Sequence, residues 1–435
     1  MKNERNEFLN KMQQLLGDEF ENFEQSLNKK SQKSLIVNEN KIDIKTFKDI
    51  VDFPIEQIPY EKAGFYIDDE KRGRHPLHHS GAFYLQEPSA MFTVNAYKFK
   101  GNEKVLDMCA APGGKTIQIA NRIPNGILVS NEYVASRSQI LFSNVERMGL
   151  KNVIITNENP NNLAKAYANT FDVCLVDAPC SGEGMFRKGE DVINHWNGNL
   201  PKMCAERQKE ILISADKTLK QNGVLIYSTC TYSIEENEDI VNWLIEEHSY
   251  EILDIDCEMD RGINMPQAVR LYPHKVKGEG QFVAVLKKKK ENDLLPLSNL
   301  KLTKDKSAET FVSNTLNKQY EIFEYKDNSY FVADINFVKK NINYVSLGVV
   351  VGQNLKSRFE PHHNLFTAFK NDFKIKLDYQ YNQLEIQKYL KGETLNVDLQ
   401  DGYGVISASG CALGGFKISK GMFKNLYPKG LRNFK

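Results

Sequence analysis

The sequence has 435 residues, which at ~150 residues per domain predicts about three domains. Hydrophobic residues form 41% of the chain and aromatic residues 10%, so the composition excludes disorder throughout. No stretch approaches the ~18 uncharged apolar residues of a membrane span, and residues 1–17 lack the apolar core of a secretion signal. Seven cysteines without a C-x-x-C pair favour reduced thiols over disulfides or structural zinc. We therefore expect a cytoplasmic protein without a membrane span or a structural metal.

The formal net charge of +1 conceals two oppositely charged parts of the chain. Residues 1–286 contain 33 basic and 41 acidic side chains, whereas residues 287–435 contain 24 basic and 15 acidic ones. No acidic residue follows Asp401, but six basic residues do: Lys417, Lys420, Lys424, Lys429, Arg432 and Lys435. Such a charge distribution suits a polyanionic partner such as a nucleic acid. A solvated surface that only keeps the protein soluble is the alternative.

The first hundred residues show a mixed pattern of helices and strands. Apolar spacing predicts helices over residues 6–16 and 19–27, followed by a short α+β unit around residues 35–53. We assign residues 1–100 to an N-terminal α+β domain.

From residue 101 to residue 286, β-branched runs alternate with helical patterns. The predicted strands are residues 104–108, 126–130, 153–156, 171–177, 223–229 and 281–286. The predicted helices include residues 135–148 and 205–220. This alternation indicates a doubly wound, parallel α/β sheet, which binds ligands beyond the carboxyl ends of its strands. A lysine run, Lys287 to Lys290, ends the domain.

The first of these strands is followed by a turn of small residues between Asp107 and Thr116. A phosphate-binding P-loop would need glycine five residues before Gly114, where the chain has Cys109. The turn Ala-Ala-Pro-Gly-Gly still lets a ligand approach the backbone, and free N–H groups at the following helix start attract an anionic group. These features predict a nucleotide-like ligand. A tight turn that binds nothing is the alternative.

The second strand ends at Glu132, a carboxylate 18 residues after Gly114. This spacing is close to the ~20 residues typical of an acid that binds ribose hydroxyls. The pattern therefore favours a nucleoside ligand, although Glu132 is equally suited to cap the helix predicted from Ala135.

The fourth and fifth strands each deliver a cysteine to the same edge of the predicted sheet. Asp177 ends the fourth strand and Cys180 follows it, while Cys230 comes directly after the fifth strand. A single cysteine is usually a small apolar core residue, but two of them beside a carboxylate and a nucleoside site favour thiol chemistry. The other cysteines, apart from Cys109, lack such neighbours and are interpreted as ordinary thiols.

Three segments resemble the signature motifs of the S-adenosylmethionine-dependent RNA cytosine-5 methyltransferases of the Nop/Sun type. They are residues 109–116, residues 177–184 and residues 227–231. Residues 86–91 and the tail, residues 415–432, resemble the bacterial ribosomal members of this family. The resemblance covers nearly the whole chain.

The resemblance implies a methyltransferase with a covalent intermediate. Cys230 would add to C6 of cytosine, Cys180 would help to release the product, and Asp177 would lie against N3 or N4 of the base. S-adenosylmethionine would be bound by Cys109, Ala110, Ala111, Pro112, Gly113, Gly114, Lys115, Glu132 and Asp177. The implied fold is a Rossmann-like sheet, and the implied partner is ribosomal RNA or the small ribosomal subunit. No metal and no obligate protein partner are implied.

Two parts of the site stay open at this stage. Relatives carry an aspartate near the adenine after the third strand, and here either Glu158 or Asn159 takes that position. His75, His78 and His79 lie in a basic loop, where we expect an exposed or phosphate-contacting segment instead of a metal site.

The C-terminal region resembles a small PUA-like β domain. We assign residues 287–375 to a linker and an intermediate domain, and residues 376–435 to this basic, RNA-binding domain. Two alternative functions remain: a methyltransferase of transfer RNA, and a non-catalytic RNA-binding assembly factor.

Overall fold

The structure is a computed structural model that describes residues 2–68, 71–188, 196–356 and 358–432. Within these ranges the chain forms four β-sheets. No helix in the same ranges is long and apolar enough to cross a membrane.

The N-terminal part is an antiparallel sheet with helices around it. Its elements are α1 (Lys2–Leu16), α2 (Phe20–Leu27), β1 (Lys33–Val37), α3 (Ile44–Ile50), β2 (Ile55–Gln57), β3 (Gly64–Ile67), α4 (Pro76–His79), β4 (Phe83–Leu85) and α5 (Pro88–Asn95). The strand order is β2-β3-β1-β4. Helices α1 and α2 pack away from this sheet, because Phe8 and Phe23 share an aromatic core with Trp196 and Tyr232. Tyr232 follows Cys230 by two residues, so these helices lie beside the predicted thiol site.

The central sheet forms the largest part of the fold. Its elements are β5 (Lys104–Asp107), α6 (Gly114–Arg122), β6 (Ile127–Asn131), α7 (Ala135–Met148), β7 (Val153–Thr156), α8 (Pro160–Ala166), β8 (Phe171–Asp177), α9 (Leu200–Thr218), β9 (Leu219–Thr229), α10 (Glu238–His248), β10 (Tyr250–Leu253), β11 (Asp260–Gly262), β12 (Met265–Leu271) and β13 (Gln281–Lys288). Strands β7, β6, β5, β8 and β9 lie side by side in this order and run parallel. Helices connect these strands, as the alternating pattern predicts. The predicted α/β fold is confirmed.

The parallel arrangement ends at β9. Strand β13 pairs antiparallel with β9, and β10, β11 and β12 continue the sheet in antiparallel pairs. The prediction of a parallel strand at residues 281–286 is therefore wrong. The physical reason is the connection: residues 272–280 join β12 to β13, and this is shorter than the dozen or more residues that a parallel crossover needs.

The segment after the lysine run builds its own sheet and also extends the central one. Its elements are β14 (Thr303–Lys304), α11 (Lys306–Thr315), β15 (Phe323–Tyr325), β16 (Asn328–Phe331), β17 (Tyr344–Ser346), β18 (Val349–Leu355), β19 (Arg358–Pro361) and α12 (His363–Ala368). Strands β14-β15-β16-β18-β19 form a five-stranded sheet. Strand β17 instead pairs antiparallel with β7, with Tyr344 opposite Thr156. The hydroxyl of Tyr167 donates to the carbonyl oxygen of Phe337 at 2.8 Å, and this hydrogen bond is buried between the central sheet and the segment after the lysine run.

The C-terminal part forms a fourth sheet. Its elements are β20 (Ile375–Tyr379), α13 (Leu384–Lys391), β21 (Gly402–Ala408), β22 (Cys411–Ser419) and β23 (Met422–Asn425), and the strands lie in this order. His79 and the hydroxyl of Tyr427 are 3.0 Å apart, and Thr367 donates to the carbonyl oxygen of Glu146 at 2.7 Å. The N-terminal part therefore contacts the C-terminal part, and α12 contacts the end of α7.

Candidate active site

The carboxyl ends of β8 and β9 bring the predicted catalytic residues together. Asp177 lies opposite Ser228 in the sheet register, and the N–H of Ala178 donates to the carbonyl oxygen of Ser228 at 2.8 Å. The chains that leave these two strands run side by side for the next few residues. Cys180 and Cys230 consequently face each other just beyond the sheet.

The sulfur atoms of Cys180 and Cys230 are 3.1 Å apart, and both thiols are free. The backbone N–H of Cys230 also donates to the sulfur of Cys180 at 3.3 Å. The hydrogen bond with Cys230 and burial raise the pKa of Cys180 well above its usual value. Cys180 is therefore a protonated thiol at neutral pH, within hydrogen-bond distance of the sulfur of Cys230.

Two buried glutamates hold the loops that carry these thiols. Glu236 accepts hydrogen bonds from the N–H of Ser181 at 3.0 Å and from Gln208 at 2.8 Å. Glu183 accepts from the hydroxyl of Thr231 at 3.0 Å, and its other oxygen accepts from the indole of Trp196 at 3.2 Å. Burial raises the pKa of Glu236 to about 7, although its hydrogen bonds from Ser181 oppose this shift. Sequence reasoning missed both glutamates; each follows a candidate cysteine within a few residues, and that position was the available signal.

Asp177 lies beside the thiols and is held from two sides. Its Oδ2 accepts a hydrogen bond from the Nζ of Lys115 at 2.7 Å, and its Oδ1 accepts from the hydroxyl of Ser228 at 2.7 Å. Burial acts to lower the pKa of Lys115, but the charge and the hydrogen bond of Asp177, together with the charge of Asp107, raise it overall. Lys115 is thus a fixed cation that connects the small-residue turn after β5 to the carboxylate after β8.

The small-residue turn has a fixed backbone. Gly113 has φ = 115° at the start of α6, in the region that favours glycine, and a Cβ there would lie 3.0 Å from Leu141. The bond between Ala111 and Pro112 is cis. Arg137 donates to the carbonyl oxygen of Ala111 at 2.8 Å. The turn therefore presents its backbone in one arrangement at the edge of the sheet.

The acidic groups near this turn are buried. Asp107 accepts from the hydroxyl of Thr116 at 2.7 Å through Oδ2, while its Oδ1 has no hydrogen-bond partner among the described residues. Burial raises the pKa of Asp107 to about 7. Glu132 accepts from the N–H of Val134 at 2.9 Å and does not cap the first turn of α7. Burial also raises the pKa of Cys109 well above its usual value, so this thiol stays protonated.

The two candidates for the adenine contact are both engaged within the protein. Asn159 caps α8 by accepting from the N–H of Asn161 at 2.9 Å. Glu158 accepts from the N–H of Asn343 at 2.8 Å and from the side chain of Asn162 at 2.8 Å. Their hydrogen bonds do not favour one over the other, and the adenine contact stays a prediction.

The three histidines of the basic loop have a structural role. His75 caps α4 and lies 3.1 Å from Asp52, and burial lowers the pKa of His78 to about 2 and of His79 to about 4. The prediction of an exposed loop is wrong for these side chains, because they pack against the N-terminal sheet and the C-terminal domain. Among the described residues, no group of histidine, cysteine and acidic side chains is arranged to hold a metal ion. The sequence also offers Lys188 as a cation to lower a thiol pKa or to hold a phosphate, but its side chain lies outside the described residues.

Three family models match separate parts of the chain. The model of the 16S rRNA methyltransferase RsmB/F family matches residues 94–287. The N-terminal domain of 16S rRNA methyltransferase RsmF matches residues 5–88, and the methyltransferase RsmF PUA domain matches residues 376–433. The chain belongs to the RsmB/F methyltransferase family. The match confirms the predicted family, the Rossmann-like α/β domain and the PUA domain.

Curated relatives in this family carry the name Ribosomal RNA small subunit methyltransferase F. The protein from Erwinia tasmaniensis is 37% identical over 299 residues, which span 65% of this chain and 63% of the relative. The chain therefore spans less than two thirds of that relative's length. The protein from Vibrio campbellii is 29% identical over 467 residues, which span 98% of this chain and 96% of the relative.

A solved structure supports the fold. The crystal structure of a methyltransferase homologue from Pyrococcus horikoshii is 28% identical to this chain and superposes with a TM-score of 0.56. The superposition covers 63% of this chain and 92% of that one.

Proposed function

We propose that the protein transfers the methyl group of S-adenosylmethionine to C5 of a cytosine in 16S ribosomal RNA. The observation that carries this proposal is the pair of thiols, Cys180 and Cys230, 3.1 Å apart beyond the ends of the strands that carry Asp177 and Ser228. A methyltransferase that acts on a strong nucleophile needs no thiol. Cytosine C5 is a weak nucleophile, and a thiol that adds to the neighbouring carbon activates it.

The chemistry proceeds through one covalent bond between the protein and the base. The sulfur of Cys230 adds to C6, and the electron pair of the C5–C6 bond makes C5 nucleophilic. S-adenosylmethionine supplies an electrophilic methyl group: C5 bonds to it, the bond between the methyl group and the sulfonium sulfur breaks, and S-adenosylhomocysteine leaves. A base then removes the proton from C5, the C5–C6 double bond forms again, and the sulfur of Cys230 leaves.

The raised pKa of the Cys180 thiol supports different roles for the two cysteines. The raised pKa of Cys180 keeps its proton in place, and an S–H donor 3.1 Å from the sulfur of Cys230 stabilises negative charge there. We therefore assign the nucleophile to Cys230 and a proton donor that assists product release to Cys180. Asp177, oriented by Lys115 and Ser228, is suited to bind the N3 or N4 edge of cytosine.

The residues after β5 and β6 fit S-adenosylmethionine. The turn from Cys109 to Lys115 offers backbone N–H groups at the start of α6, which suit a carboxylate. Asp107 has a buried oxygen without a partner among the described residues, and Glu132 is a buried carboxylate at the end of the next strand. Together they offer acceptors for an ammonium group and for ribose hydroxyls.

We propose that the flanking domains hold the RNA. Residues 1–100 would position the RNA beside the thiols, since α1 and α2 pack next to Tyr232. The basic PUA domain, residues 376–435, would contact phosphates, and residues 287–375 would join it to the catalytic domain. The target cytosine has to leave its stack to reach the thiols, which costs a few kcal/mol and favours an unpaired base.

The test is methyl transfer with labelled S-adenosylmethionine to three RNA sources: small ribosomal subunits, large subunits and bulk transfer RNA. Wild-type protein should place the label in small-subunit RNA as 5-methylcytosine. Cys180→Ala should accumulate a covalent protein–RNA band on a denaturing gel, because product release is impaired. Cys230→Ala should give neither product nor band.

The matched control is Cys257→Ala, a partly exposed thiol in the connection between β10 and β11, which should behave as wild type. A covalent band from Cys230→Ala instead of Cys180→Ala would reverse the two roles. Label confined to transfer RNA would favour a transfer RNA methyltransferase. Binding of S-adenosylmethionine without transfer to any RNA would contradict the proposed activity.

A further inference from the structure

A second candidate site lies at the edge of the central sheet opposite the thiols. It is a cavity of about 260 Å³ whose lining includes Gly149, Lys151 and Asn152. These residues directly precede β7, whereas the thiols follow the carboxyl ends of β8 and β9. Since the central strands run parallel, the cavity and the thiols are at opposite ends of the same sheet.

Three lysines line this cavity, and each comes from a different part of the chain. Lys41 precedes α3 in the N-terminal domain, Lys151 precedes β7 of the central sheet, and Lys370 follows α12. No aspartate or glutamate belongs to the lining. Within the described parts of the chain, none of the three ammonium groups lies within 4.0 Å of a carboxylate, so the cavity carries uncompensated positive charge.

The most buried of these cations is Lys41. Its Nζ donates to the carbonyl oxygens of Ser80 at 2.7 Å and Arg147 at 2.9 Å, which accounts for two of its three protons. Burial lowers the pKa of Lys41 to about 7, and the positive charges of Arg147 and Lys370 act in the same direction. An anion in the cavity would offset the free-energy cost of burying the charged ammonium group of Lys41, because it would face the cations directly.

The other two lysines are also without an acidic partner in the cavity. The Nζ of Lys370 donates to the carbonyl oxygen of Gly410, and the Nζ of Lys151 lies 4.4 Å from the ring centroid of Phe369. Asp372 attracts Lys151 electrostatically, but this carboxylate is already paired with Lys318 at 3.2 Å and accepts from Tyr320 at 2.7 Å. Asp372 therefore compensates Lys151 only in part.

We infer that this cavity binds a phosphoryl group, supplied either by an RNA backbone or by free inorganic phosphate. Lysine binds phosphate as a compact point charge, and three lysines around a polar cavity suit a small, multiply charged anion better than an apolar ligand. One phosphoryl group bound by these lysines would connect the N-terminal part, the central sheet and the segment after the lysine run. The RNA source rests on the proposed function, whereas the phosphate source does not.

The test compares two double variants of the full chain. Lys151→Gln with Lys370→Gln removes two half-buried lysines of the cavity and leaves the buried Lys41 in place. Lys45→Gln with Lys165→Gln removes two exposed lysines outside the cavity and is the matched control. Binding of inorganic phosphate is measured by calorimetry, and binding of 16S ribosomal RNA by filter retention at several salt concentrations.

The cavity variant should bind phosphate at least tenfold more weakly than the wild type, and the control should not. If RNA supplies the phosphoryl group, the cavity variant also binds RNA several-fold more weakly. The slope of log affinity against log salt concentration is then shallower by ~0.7–0.9 for each RNA phosphate that the protein no longer neutralises. If phosphate is the ligand, RNA binding is unchanged. Unchanged binding of both probes would overturn the inference.

These readouts separate the cavity from the methyltransferase proposal. Both measure binding and neither requires methyl transfer. A wild-type protein that binds phosphate in the cavity but methylates no RNA would leave this inference standing and contradict only the proposed activity.

Discussion

Replacing Lys115 with methionine tests whether Asp177 needs its paired ammonium to act on the base. The Nζ of Lys115 lies 2.7 Å from Asp177, with side chains 12% and 32% exposed. A charge-assisted hydrogen bond contributes about 1.5–3 kcal/mol, and the partial exposure of Asp177 places the effect in the lower part of this range. A loss of about 1.5–2 kcal/mol corresponds to a decrease of about 10- to 30-fold in kcat/KM.

The assay measures kcat for methyl transfer together with the Kd for S-adenosylmethionine. If Lys115 acts through Asp177, kcat falls while the cofactor Kd changes less than about threefold, and Lys115→Arg restores part of the rate. The matched control is Lys220→Met, which removes a 2.6 Å ion pair with Asp172 at the opposite end of β8 and should leave kcat unchanged. The reasoning is refuted if kcat of Lys115→Met stays within twofold of wild type, or if only the cofactor Kd changes.

Three further changes have expected outcomes in urea unfolding experiments. Arg270→Met should lower the free energy of unfolding by about 3–5 kcal/mol, because it leaves Glu238 buried without its partner at 2.5 Å, and a loss below 1 kcal/mol would contradict this. The pKa of Asp107 is raised to about 7 in the folded protein, so the unfolded chain releases this proton at lower pH. The free energy of unfolding therefore falls as the pH rises from about 4 to 7. Asp107→Asn should remove up to about 4 kcal/mol of this fall, and an unchanged pH profile would argue against the raised pKa. Gly113→Ala should lower the free energy of unfolding by about 1–2 kcal/mol and weaken cofactor binding, because φ at this position is 115° and the added Cβ would lie 3.0 Å from Leu141. An unchanged cofactor Kd would show that the turn tolerates a side chain.

The fold was predictable where local pattern decides strand direction. The alternation of strands and helices between residues 104 and 229 permits only helical crossovers, and these make the strands parallel. Strand β13 looks the same in sequence, but its direction depends on the short connection from β12. Strand β17 has three residues and no periodicity, so nothing in its sequence indicated that it pairs with β7.

The site was predictable to the extent that it follows from strand ends. Asp177 ends β8, Cys180 follows it by three residues and Cys230 comes directly after β9, and the structure brings the two sulfur atoms to 3.1 Å. The contact of Lys115 with Asp177 joins residues 62 positions apart, and that of Ser181 with Glu236 joins residues 55 apart. Contacts of this range depend on side-chain direction at the sheet edge, which no local pattern carries.

Strand β17 has a practical consequence for work on the isolated catalytic domain. A protein truncated after residue 287 would lack Tyr344 and its neighbours and leave the backbone of β7 open along one side. An open edge strand with apolar residues pairs readily with other chains. We expect such a fragment to aggregate, and a fragment that continues past Ser346 to stay in solution. The smallest expressible catalytic unit thus ends well beyond the point at which its sequence pattern ends.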